Sequence, residues 1–192
     1  MQFDEARLLK SAANGDSAAF STLMEAHERR MFSVALRMCG NHEDAQDCLQ
    51  EAMLRVYRAL ASFKGQSSFS TWVYRVTMNT CLDELRRRKM RKTTSLDGLL
   101  DSGWSPAEEL DTPEHNAIRS EQRRTIERAI AALPEDMRAA IVLRDIQGFS
   151  YDDIAGMLDT NVGTIKSRIS RGREKLRETL MQQAELFDRH SV

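Results

Sequence analysis

Long apolar runs and a cysteine framework are both missing from this 192-residue sequence. No stretch approaches the roughly 20 apolar residues that a bilayer-spanning helix requires, so a membrane-spanning protein is not expected. The N-terminal residues MQFDEARLLK are acidic and mixed, which does not fit a secretory signal. The three cysteines are odd in number and show no C-x-x-C spacing. A disulfide framework is therefore not expected, and a cytoplasmic location is favoured.

Proline is also scarce, and no run of Val, Ile and Thr alternates with polar residues as it would in a half-buried strand. Ala, Leu, Met, Glu and Arg dominate the composition, and these residues favour helices. A hydrophobic content of 41% with 30% charged residues is typical of a soluble globular protein rather than a disordered one. The composition therefore predicts an all-α fold.

Catalytic constellations are a third absence. We find no Ser/His/Asp set, no paired carboxylates and no Walker motif, so we expect neither an enzyme nor a cofactor or small-molecule substrate. Cys39, His42, Cys48 and His27 are the candidates for a metal site, but their spacing matches no known ligand pattern. Cys48 and His27 also fall on apolar stripes. These residues are interpreted as parts of the core, and no metal site is predicted.

The net charge of −1 hides an uneven distribution along the chain. Residues 1–92 carry 15 Lys and Arg against 11 Asp and Glu, and residues 118–192 carry 13 against 12. Residues 93–117 carry six acids and no Lys or Arg, among Ser, Thr, Gly and Pro. This distribution predicts two small helical domains, 1–92 and 118–192, joined by an acidic flexible linker, 93–117.

Three segments of the N-terminal domain show the 3/4 spacing of amphipathic helices, after a short opening helix. The first segment is GDSAAFSTLMEAHERRMFSVALRMCGN, which we expect to end at Gly40. The second is DAQDCLQEAMLRVYRAL, and the third is FSTWVYRVTMNTCLDELRRRK. Amphipathic helices of this length predict a small bundle.

The segment Ser150–Arg177 has the dimensions of a helix-turn-helix. A capping box of Ser150 and Asp153 opens a short helix, and the turn DTN leads into a longer one with Ile165 and Ile169 on its apolar stripe. The opposite surface carries five polar or basic side chains: Lys166, Ser167, Ser170, Arg171 and Arg173. In the major groove, hydrogen-bonding side chains on such a face read base edges, while flanking Arg and Lys side chains hold the phosphates of the backbone. DNA binding is the favoured interpretation, and a solvated face of a packing helix is the alternative.

Aromatic and basic residues adjoin in the segment FKGQSSFSTWVYRVTMNTCLDELRRRKMRK, residues 63–92. Helical spacing places Phe69 and Trp72 on one face and Tyr74 on another. Aromatic rings beside a basic surface form a platform for unstacked bases, each worth about 1–3 kcal/mol. The alternative is a core aromatic cluster beneath a solvated arginine run. The residues alone leave both interpretations open.

The order of these parts resembles that of the extracytoplasmic-function (group 4) sigma factors of bacterial RNA polymerase. The resemblance rests on DAQDCLQEAMLRVYRAL, on FKGQSSFSTWVYRVTMNTCLDELRRRK and on LPEDMRAAIVLRDIQGFSYDDIAGMLDTNVGTIKSRISRGREKL. It covers roughly residues 5–92 and 118–180. It implies an alternative sigma factor that binds core RNA polymerase and directs it to promoters with −10 and −35 elements. The N-terminal domain then corresponds to region 2 and the C-terminal domain to region 4.

The resemblance implies that the N-terminal domain captures flipped bases of the non-template strand in the −10 element. The loop Phe63–Phe69, which includes Lys64, matches the family's specificity loop, and Asn79 matches a residue at the base pocket. Three arginines and a lysine are then expected to follow the adjoining phosphates: Arg86, Arg87, Arg88 and Lys89. Flipping a base costs a few kcal/mol, which stacking and hydrogen bonds in the pocket can offset.

The resemblance also implies protein partners. The positions of Asp47, Gln50 and Glu51 match those that dock on the clamp coiled coil of the largest polymerase subunit, and Leu54 beside them fits an interface better than water. The family implies two further partners: the flap region of the polymerase and an anti-sigma factor, which in this family is often anchored in the membrane. An anchored anti-sigma factor would hold this protein at the inner face of the membrane.

Two interpretations of the acidic linker remain open: a disordered tether, or a segment that imitates nucleic acid in the basic channel of the polymerase. For the whole chain, the rival interpretation is a helix-turn-helix regulator whose N-terminal bundle senses a ligand or dimerises. A rival of this kind binds a palindromic operator without polymerase. An RNA-processing or nucleotide-modifying enzyme would need a catalytic cluster that the sequence lacks.

Overall fold

The structure, a computed structural model, describes residues 5–94 and 116–189. Helices follow one another in the order α1 (Glu5–Ala13), α2 (Ser17–Cys39), α3 (His42–Ala59), α4 (Phe69–Thr94), α5 (Asn116–Ala131), α6 (Glu135–Ile141), α7 (Tyr151–Met157) and α8 (Val162–Arg189). A 3₁₀ turn follows α3, and a π-helical turn continues α6 through Ile146. Within these residues there is no strand. The predicted all-α fold is confirmed.

The four helices of the N-terminal bundle begin and end where local chemistry dictates. The carboxylate of Asp16 accepts hydrogen bonds from the first backbone N–H groups of α2, and Asn41 caps α3 in the same way. Gly40 ends α2 in the left-handed region, with φ of 81°, as the sequence predicted. This single residue reverses the chain between α2 and α3, so the two helices pack side by side and against α4.

The C-terminal bundle contains the predicted helix-turn-helix in α7 and α8. Ser150 accepts a hydrogen bond from the backbone N–H of Asp153, which confirms the predicted cap. The side chain of Asn161 accepts from the backbone N–H of Thr164 at 2.8 Å and starts α8. At Gly172 the helix α8 packs so closely on α6 that a Cβ would lie 2.9 Å from a side-chain carbon of Ile141. A side chain larger than that of glycine at position 172 would therefore collide with α6.

The two bundles also contact each other, which the sequence did not predict. Arg138 of α6 donates from Nη1 to the backbone oxygen of Met38 at 2.6 Å, and from Nη2 to that of Leu133 at 3.0 Å. The ring of Tyr74, buried in α4, meets the ring of Phe149 at a centroid distance of 5.3 Å. The buried apolar side chains of both bundles consequently form one continuous cluster.

The acidic segment 93–117 lies almost wholly outside the described residues, because α4 reaches Thr94 and α5 begins at Asn116. Across residues 5–94 and 116–189, no helix combines the length and apolar character that crossing a bilayer requires.

Candidate functional site

Three aromatic side chains form a cluster where the glycine-containing loop enters α4. The ring of Phe63 lies 5.0 Å from that of Trp72 and 5.8 Å from that of Phe69, between centroids. Phe69 is fully buried, whereas Phe63 and Trp72 are half-buried. Both interpretations of the sequence thus apply in part: Phe69 is a core residue, and the outer two rings keep a surface on which a flat group can stack.

The exposed face of α4 continues from these rings toward the C-terminus of the helix. Asn79 is exposed and lies seven residues beyond Trp72, so two helical turns place it on the same face. Thr77 and Thr80, its near neighbours, are buried and return their hydroxyls to the helix backbone. Arg75, one turn before Asn79, is also exposed. Sequence analysis missed Arg75 as a candidate for nucleic-acid binding. The signal that could have found it is the four-residue spacing from Asn79, which places both residues on one helical face.

The arginines near the end of α4 already form ion pairs within the domain. The pairs join Arg86 to Asp83 (3.7 Å), Arg87 to Glu84 (3.4 Å), and Arg88 both to Glu84 (3.4 Å) and to Asp44 of α3. Arg86 and Arg87 remain exposed, whereas Arg88 is half-buried against α3. The predicted basic surface therefore combines two exposed cations with one cation, Arg88, that links α4 to α3.

On α3, the residues predicted to bind a protein partner lie on the outer face, but they differ in their surroundings. Asp47 and Gln50 are exposed. Glu51 is half-buried and accepts from Arg55 at 2.8 Å, and Arg55 also donates to Asp83 of α4 at 2.9 Å. Hydrogen bonds with Asp83 and Glu51 raise the pKa of Arg55. Glu51 is thus part of an ion-pair chain that joins α3 to α4, and it also lies on the outer face.

An apolar patch accompanies these polar residues. Leu54 and Tyr57 are 48% and 43% exposed, and their three-residue spacing places them side by side on one helical face. The ring of Tyr57 also packs edge-on against Phe20, with centroids 4.9 Å apart. Sequence analysis predicted Leu54 but missed Tyr57. The sequence feature that could have identified Tyr57 is its three-residue spacing from Leu54 on the polar side of the helix.

In α8, the predicted division between a buried and an exposed face is confirmed. Ile165 and Ile169 are buried against the rest of the bundle. Four of the predicted DNA-binding side chains are exposed and fall within the first three turns of α8: Lys166, Ser167, Ser170 and Arg171. A helix that presents hydrogen-bonding groups near its N-terminus, opposite its packed stripe, has the geometry of a major-groove reader.

Arg173, the fifth predicted residue, is exposed but has a partner. Its Nε donates to a carboxylate oxygen of Asp145 at 3.0 Å, and this pair raises the pKa of Arg173. Nearby, the guanidinium of Arg144 lies 4.6 Å from the ring centroid of Tyr151, and Nζ of Lys166 lies 5.8 Å from it. Sequence analysis assigned no role to Asp145 or Tyr151, because both come into contact with α8 only in the folded bundle.

The residues considered for a metal site are arranged differently from the sequence expectation. His27 is half-buried with its ring 5.4 Å from that of Phe69, and burial lowers its pKa. Cys39 and Cys48 lie together with Cys81, a residue that the sequence did not connect with them. His27 and His42 are not part of this group.

Two family models match the chain, one in each bundle. The model of Sigma-70 region 2 matches residues 23–91, and the model of Sigma-70, region 4 matches residues 123–176. The chain is 37% identical over 180 residues to the ECF RNA polymerase sigma-E factor of Escherichia coli, which covers 91% of this chain and 93% of that protein. It is 35% identical over 183 residues to the RNA polymerase sigma-H factor of Pseudomonas aeruginosa, with 93% and 95% coverage.

Solved structures resemble the fold as well. The sigma factor RpoE from Bartonella quintana, in complex with the anti-sigma factor NepR, matches with a TM-score of 0.70 and 26% identity. The match covers 84% of this chain and 96% of that one. CnrH, in complex with the cytosolic domain of CnrY, has the same fold with a TM-score of 0.65.

Proposed function

The chain belongs to the extracytoplasmic-function sigma factors of bacterial RNA polymerase, and we propose that its two helical bundles divide promoter recognition between them. It is a transcription initiation factor that binds core RNA polymerase and directs it to promoters. In this proposal residues 1–92 bind core enzyme and the −10 element, residues 118–192 bind the −35 element, and residues 93–117 join the two.

The observation that carries the proposal is that the two bundles expose surfaces of different chemistry. The surface on α4 combines half-buried rings, Phe63 and Trp72, with the exposed amide of Asn79. The surface on α8 has hydroxyls and cations but no exposed aromatic ring among its first three turns. Rings bind unstacked bases, whereas a polar helix binds the intact major groove. The two surfaces therefore suit a promoter that is duplex at one element and opened at the other.

At the −10 element, we assign capture of the displaced strand to the loop Phe63–Phe69 and to α4. A base that leaves the duplex loses stacking energy of a few kcal/mol, and the rings of Phe63 and Trp72 can restore part of it. The amide of Asn79 both donates and accepts, so it can pair with the hydrogen-bonding edge of such a base. Lys64, exposed in the loop, and Arg86 to Arg88 supply phosphate contacts.

At the −35 element, we assign base reading to the first turns of α8. Ser167, Ser170 and Arg171 project from the exposed face and reach base edges when the helix lies in the major groove. Arg173 lies further along the helix and is suited to a phosphate at the flank. Lys166, with its long stem beside Tyr151, can reach either. No catalytic role is required of any of these side chains.

Core polymerase is proposed to dock on the outer face of α3. Asp47 and Gln50 supply polar contacts, and Leu54 with Tyr57 supply an apolar centre that would be covered on binding. Charged residues at the rim of an interface chiefly govern the rate of association, while buried aromatic and aliphatic side chains govern its lifetime. We therefore expect Leu54 and Tyr57 to contribute more to affinity than Asp47.

Regulation by an anti-sigma factor follows from the family, and the relative from Bartonella quintana was solved with such a partner. Because an anti-sigma factor acts by covering surfaces that polymerase needs, the outer face of α3 is its proposed target here. We propose a cytoplasmic protein that an anti-sigma factor sequesters, possessing no enzymatic activity of its own.

Run-off transcription with purified core polymerase tests the proposed function directly. Genomic fragments are transcribed with and without the protein, and we expect new transcripts whose start sites share −10 and −35 elements. Absence of any transcript that depends on the protein would contradict the proposal. Tight binding to a palindromic operator without polymerase would instead support a conventional helix-turn-helix regulator.

The docking surface is tested separately by measuring affinity for core polymerase. The double variant Leu54→Ala with Tyr57→Ala should weaken holoenzyme assembly by at least about ten-fold, because hot-spot side chains cost about 2 kcal/mol or more on truncation. Helicity and thermal stability serve as folding checks, since Tyr57 also packs on Phe20. Glu28→Ala on the exposed surface of α2 is the control. Assembly at the affinity of the unaltered protein would remove α3 from the interface.

A further inference from the structure

The three cysteines are far apart in sequence but meet at one point of the N-terminal bundle. Cys39 is the last residue of α2, Cys48 lies in the second turn of α3, and Cys81 lies near the middle of α4. All three Sγ atoms lie within 4.8 Å of one another. The Sγ atoms of Cys39 and Cys48 are 3.5 Å apart. One sulfur from each of three helices therefore faces a common centre.

These separations fit sulfurs that share a metal ion. A zinc–sulfur bond measures about 2.3 Å, so tetrahedral angles place two sulfur ligands about 3.8 Å apart, within the range seen here. A disulfide would instead require about 2.05 Å. We propose that Cys39, Cys48 and Cys81 form a binding site for one thiophilic metal ion. Thiolate ligands of this kind select Zn²⁺ or Cu⁺ over harder cations such as Mg²⁺.

Three arginines place positive charge around the cluster: Arg55, Arg87 and Arg88. Hydrogen bonds from Cys39 and Cys81 lower the pKa of the Cys48 thiol, and the charges of Arg87 and Arg55 act in the same direction. A hydrogen bond with Cys48 raises the pKa of the Cys39 thiol, and hydrogen bonds with Cys39 and Cys48 raise the pKa of the Cys81 thiol. The charge of Arg88 opposes the rise at Cys39 as a smaller effect. Three thiolates around a divalent ion carry a net negative charge, which these cations offset.

The cluster has one partly exposed cysteine and an open coordination position. Cys48 and Cys81 are buried, whereas Cys39 is only partly buried and marks the side of the cluster nearest solvent. In the described part of the chain, no fourth histidine, cysteine or carboxylate belongs to the group. Structural zinc sites have four protein ligands, whereas sites with three keep a position for water or another ligand. The proposed site is therefore suited to an ion that exchanges.

An ion at this centre would tie together the helices that carry the functional surfaces. Cys48 directly follows Asp47 in α3, and Cys81 lies two residues beyond Asn79 in α4. Cys39 follows Met38, whose backbone oxygen receives the hydrogen bond from Arg138 of the C-terminal bundle. Metal occupancy would restrain all three positions together. This coupling to polymerase and DNA rests on the proposed function, whereas metal binding itself does not.

Titration of the full-length, reduced and metal-free protein with Cd²⁺ tests the site, since cadmium–thiolate bonds absorb in the ultraviolet. We expect one Cd²⁺ per chain with absorbance typical of three thiolates, displacement of Cd²⁺ by Zn²⁺, and a melting temperature that rises with metal concentration. Cys39→Ala, at the accessible edge, should weaken binding by at least about ten-fold, the range expected even for indirect ligand supports. His42→Ala, a nearby histidine outside the group, should leave binding unchanged.

A separate anaerobic titration against a coloured Cu⁺ chelator decides between the two ions. If the protein holds Cu⁺ against the chelator more tightly than it holds Zn²⁺ against Cd²⁺, the site is a copper site. The reverse result identifies a zinc site. Either result supports the proposal. Failure of all three metals to bind the reduced protein overturns it, as does stoichiometric binding that survives Cys39→Ala unchanged. Reduced protein that binds no metal but gains a Cys39–Cys48 disulfide with oxidant would show a thiol pair instead.

A measurement of core polymerase affinity with and without bound metal tests the coupling by itself. We expect the affinity to change when the site is filled in the unaltered protein and not in Cys39→Ala. Equal affinities in the presence of proven metal binding would overturn the coupling and leave the metal site in place. Loss of all polymerase binding, metal or not, would contradict the proposed function rather than the site.

Discussion

The basic side chains of the two surfaces proposed to bind DNA differ in their contacts within the protein. On α4, Arg86, Arg87 and Arg88 each form an ion pair with an acid of the same bundle. On α8, Lys166 and Arg171 are exposed, and neither has an ion pair within residues 5–94 and 116–189. The three arginines of α4 must exchange an acidic partner for a phosphate, whereas Lys166 and Arg171 of α8 need not. Arg173 is the exception on α8, because it is paired with Asp145.

The exchange is not equally costly along α4. Arg86 is 71% exposed, and surface ion pairs contribute only about 0–1 kcal/mol, so a phosphate can replace Asp83 with little loss. Arg88 is 30% exposed and contacts Asp44 of α3 as well as Glu84, so its release would loosen the contact between two helices. We infer that Arg88 serves the fold as well as the proposed contact with nucleic acid, whereas Lys166 and Arg171 on α8 are free of such ion pairs within the described residues.

The largest expected effect is at Arg171, which has no role in packing. Arg171→Ala should lower transcription and reduce the spread among −35 variants, because each side chain that reads a base discriminates by about 1–3 kcal/mol. The measurement is competition among −35 point variants by reconstituted holoenzyme at two salt concentrations. If the order and spread of preference persist in Arg171→Ala, the reading face of α8 has been assigned wrongly.

A smaller effect is expected at Asn79. Asn79→Ala should permit formation of the closed complex but reduce permanganate reactivity of −10 thymines by about three- to ten-fold, corresponding to one or two hydrogen bonds. Asn14→Ala, which removes an exposed amide in the turn after α1, is the control. If thymine reactivity equals that of the unaltered protein, α4 has only a structural role, and the proposed difference between α4 and α8 is wrong.

Substitutions of Arg86 and Arg88 in α4 should have different effects when stability and DNA binding are measured on the same variants. Arg88→Ala should lower the free energy of unfolding by about 1 kcal/mol, because a partly buried pair is worth more than an exposed one. Arg86→Ala should leave stability unchanged within error and lower the salt dependence of promoter binding. Urea unfolding and filter binding at several salt concentrations supply the two measurements. Equal stability of the two variants would show that Arg88 is as replaceable as Arg86.

The smallest expected effect concerns the ion pair of Arg173 with Asp145 beside the proposed reading face of α8. Asp145→Ala frees Arg173 for phosphate and should strengthen binding to all −35 sequences by about two- to five-fold, in line with the energy of an exposed pair. Arg173→Ala should weaken binding to all of them by a similar factor without altering their order. A change of order in either variant would mean that Arg173 reads a base.

Much of the architecture could be predicted because it depends on neighbours in sequence. Ser150 caps α7 and Gly40 ends α2 through contacts within four residues, so the caps are visible in the printed chain. The alternation that buries Ile165 and Ile169 and exposes Lys166 follows from 3.6 residues per turn. The boundaries of α2 and the faces of α8 therefore agree with expectation.

Contacts between helices could not be predicted in the same way. Arg55 bonds to Asp83, 28 residues further along the chain, and Cys81 joins Cys39 and Cys48 from a third helix. Spacing rules apply within one helix, while these contacts depend on how three helices are rotated and shifted against one another. For the same reason the sequence analysis considered His42 beside Cys39 and Cys48 but not Cys81.

Helical periodicity, capping residues and the order of motifs were enough to establish an all-α chain with a helix-turn-helix and to indicate which faces meet solvent. Which charges are paired, how deeply Phe69 and Trp72 are buried, and that Tyr74 packs on Phe149 of the other bundle became clear only in the folded chain. The physical reason is the separation along the chain over which each kind of interaction acts. Backbone hydrogen bonds and side-chain periodicity act over a few residues, whereas burial and ion pairing depend on atoms brought together from distant positions.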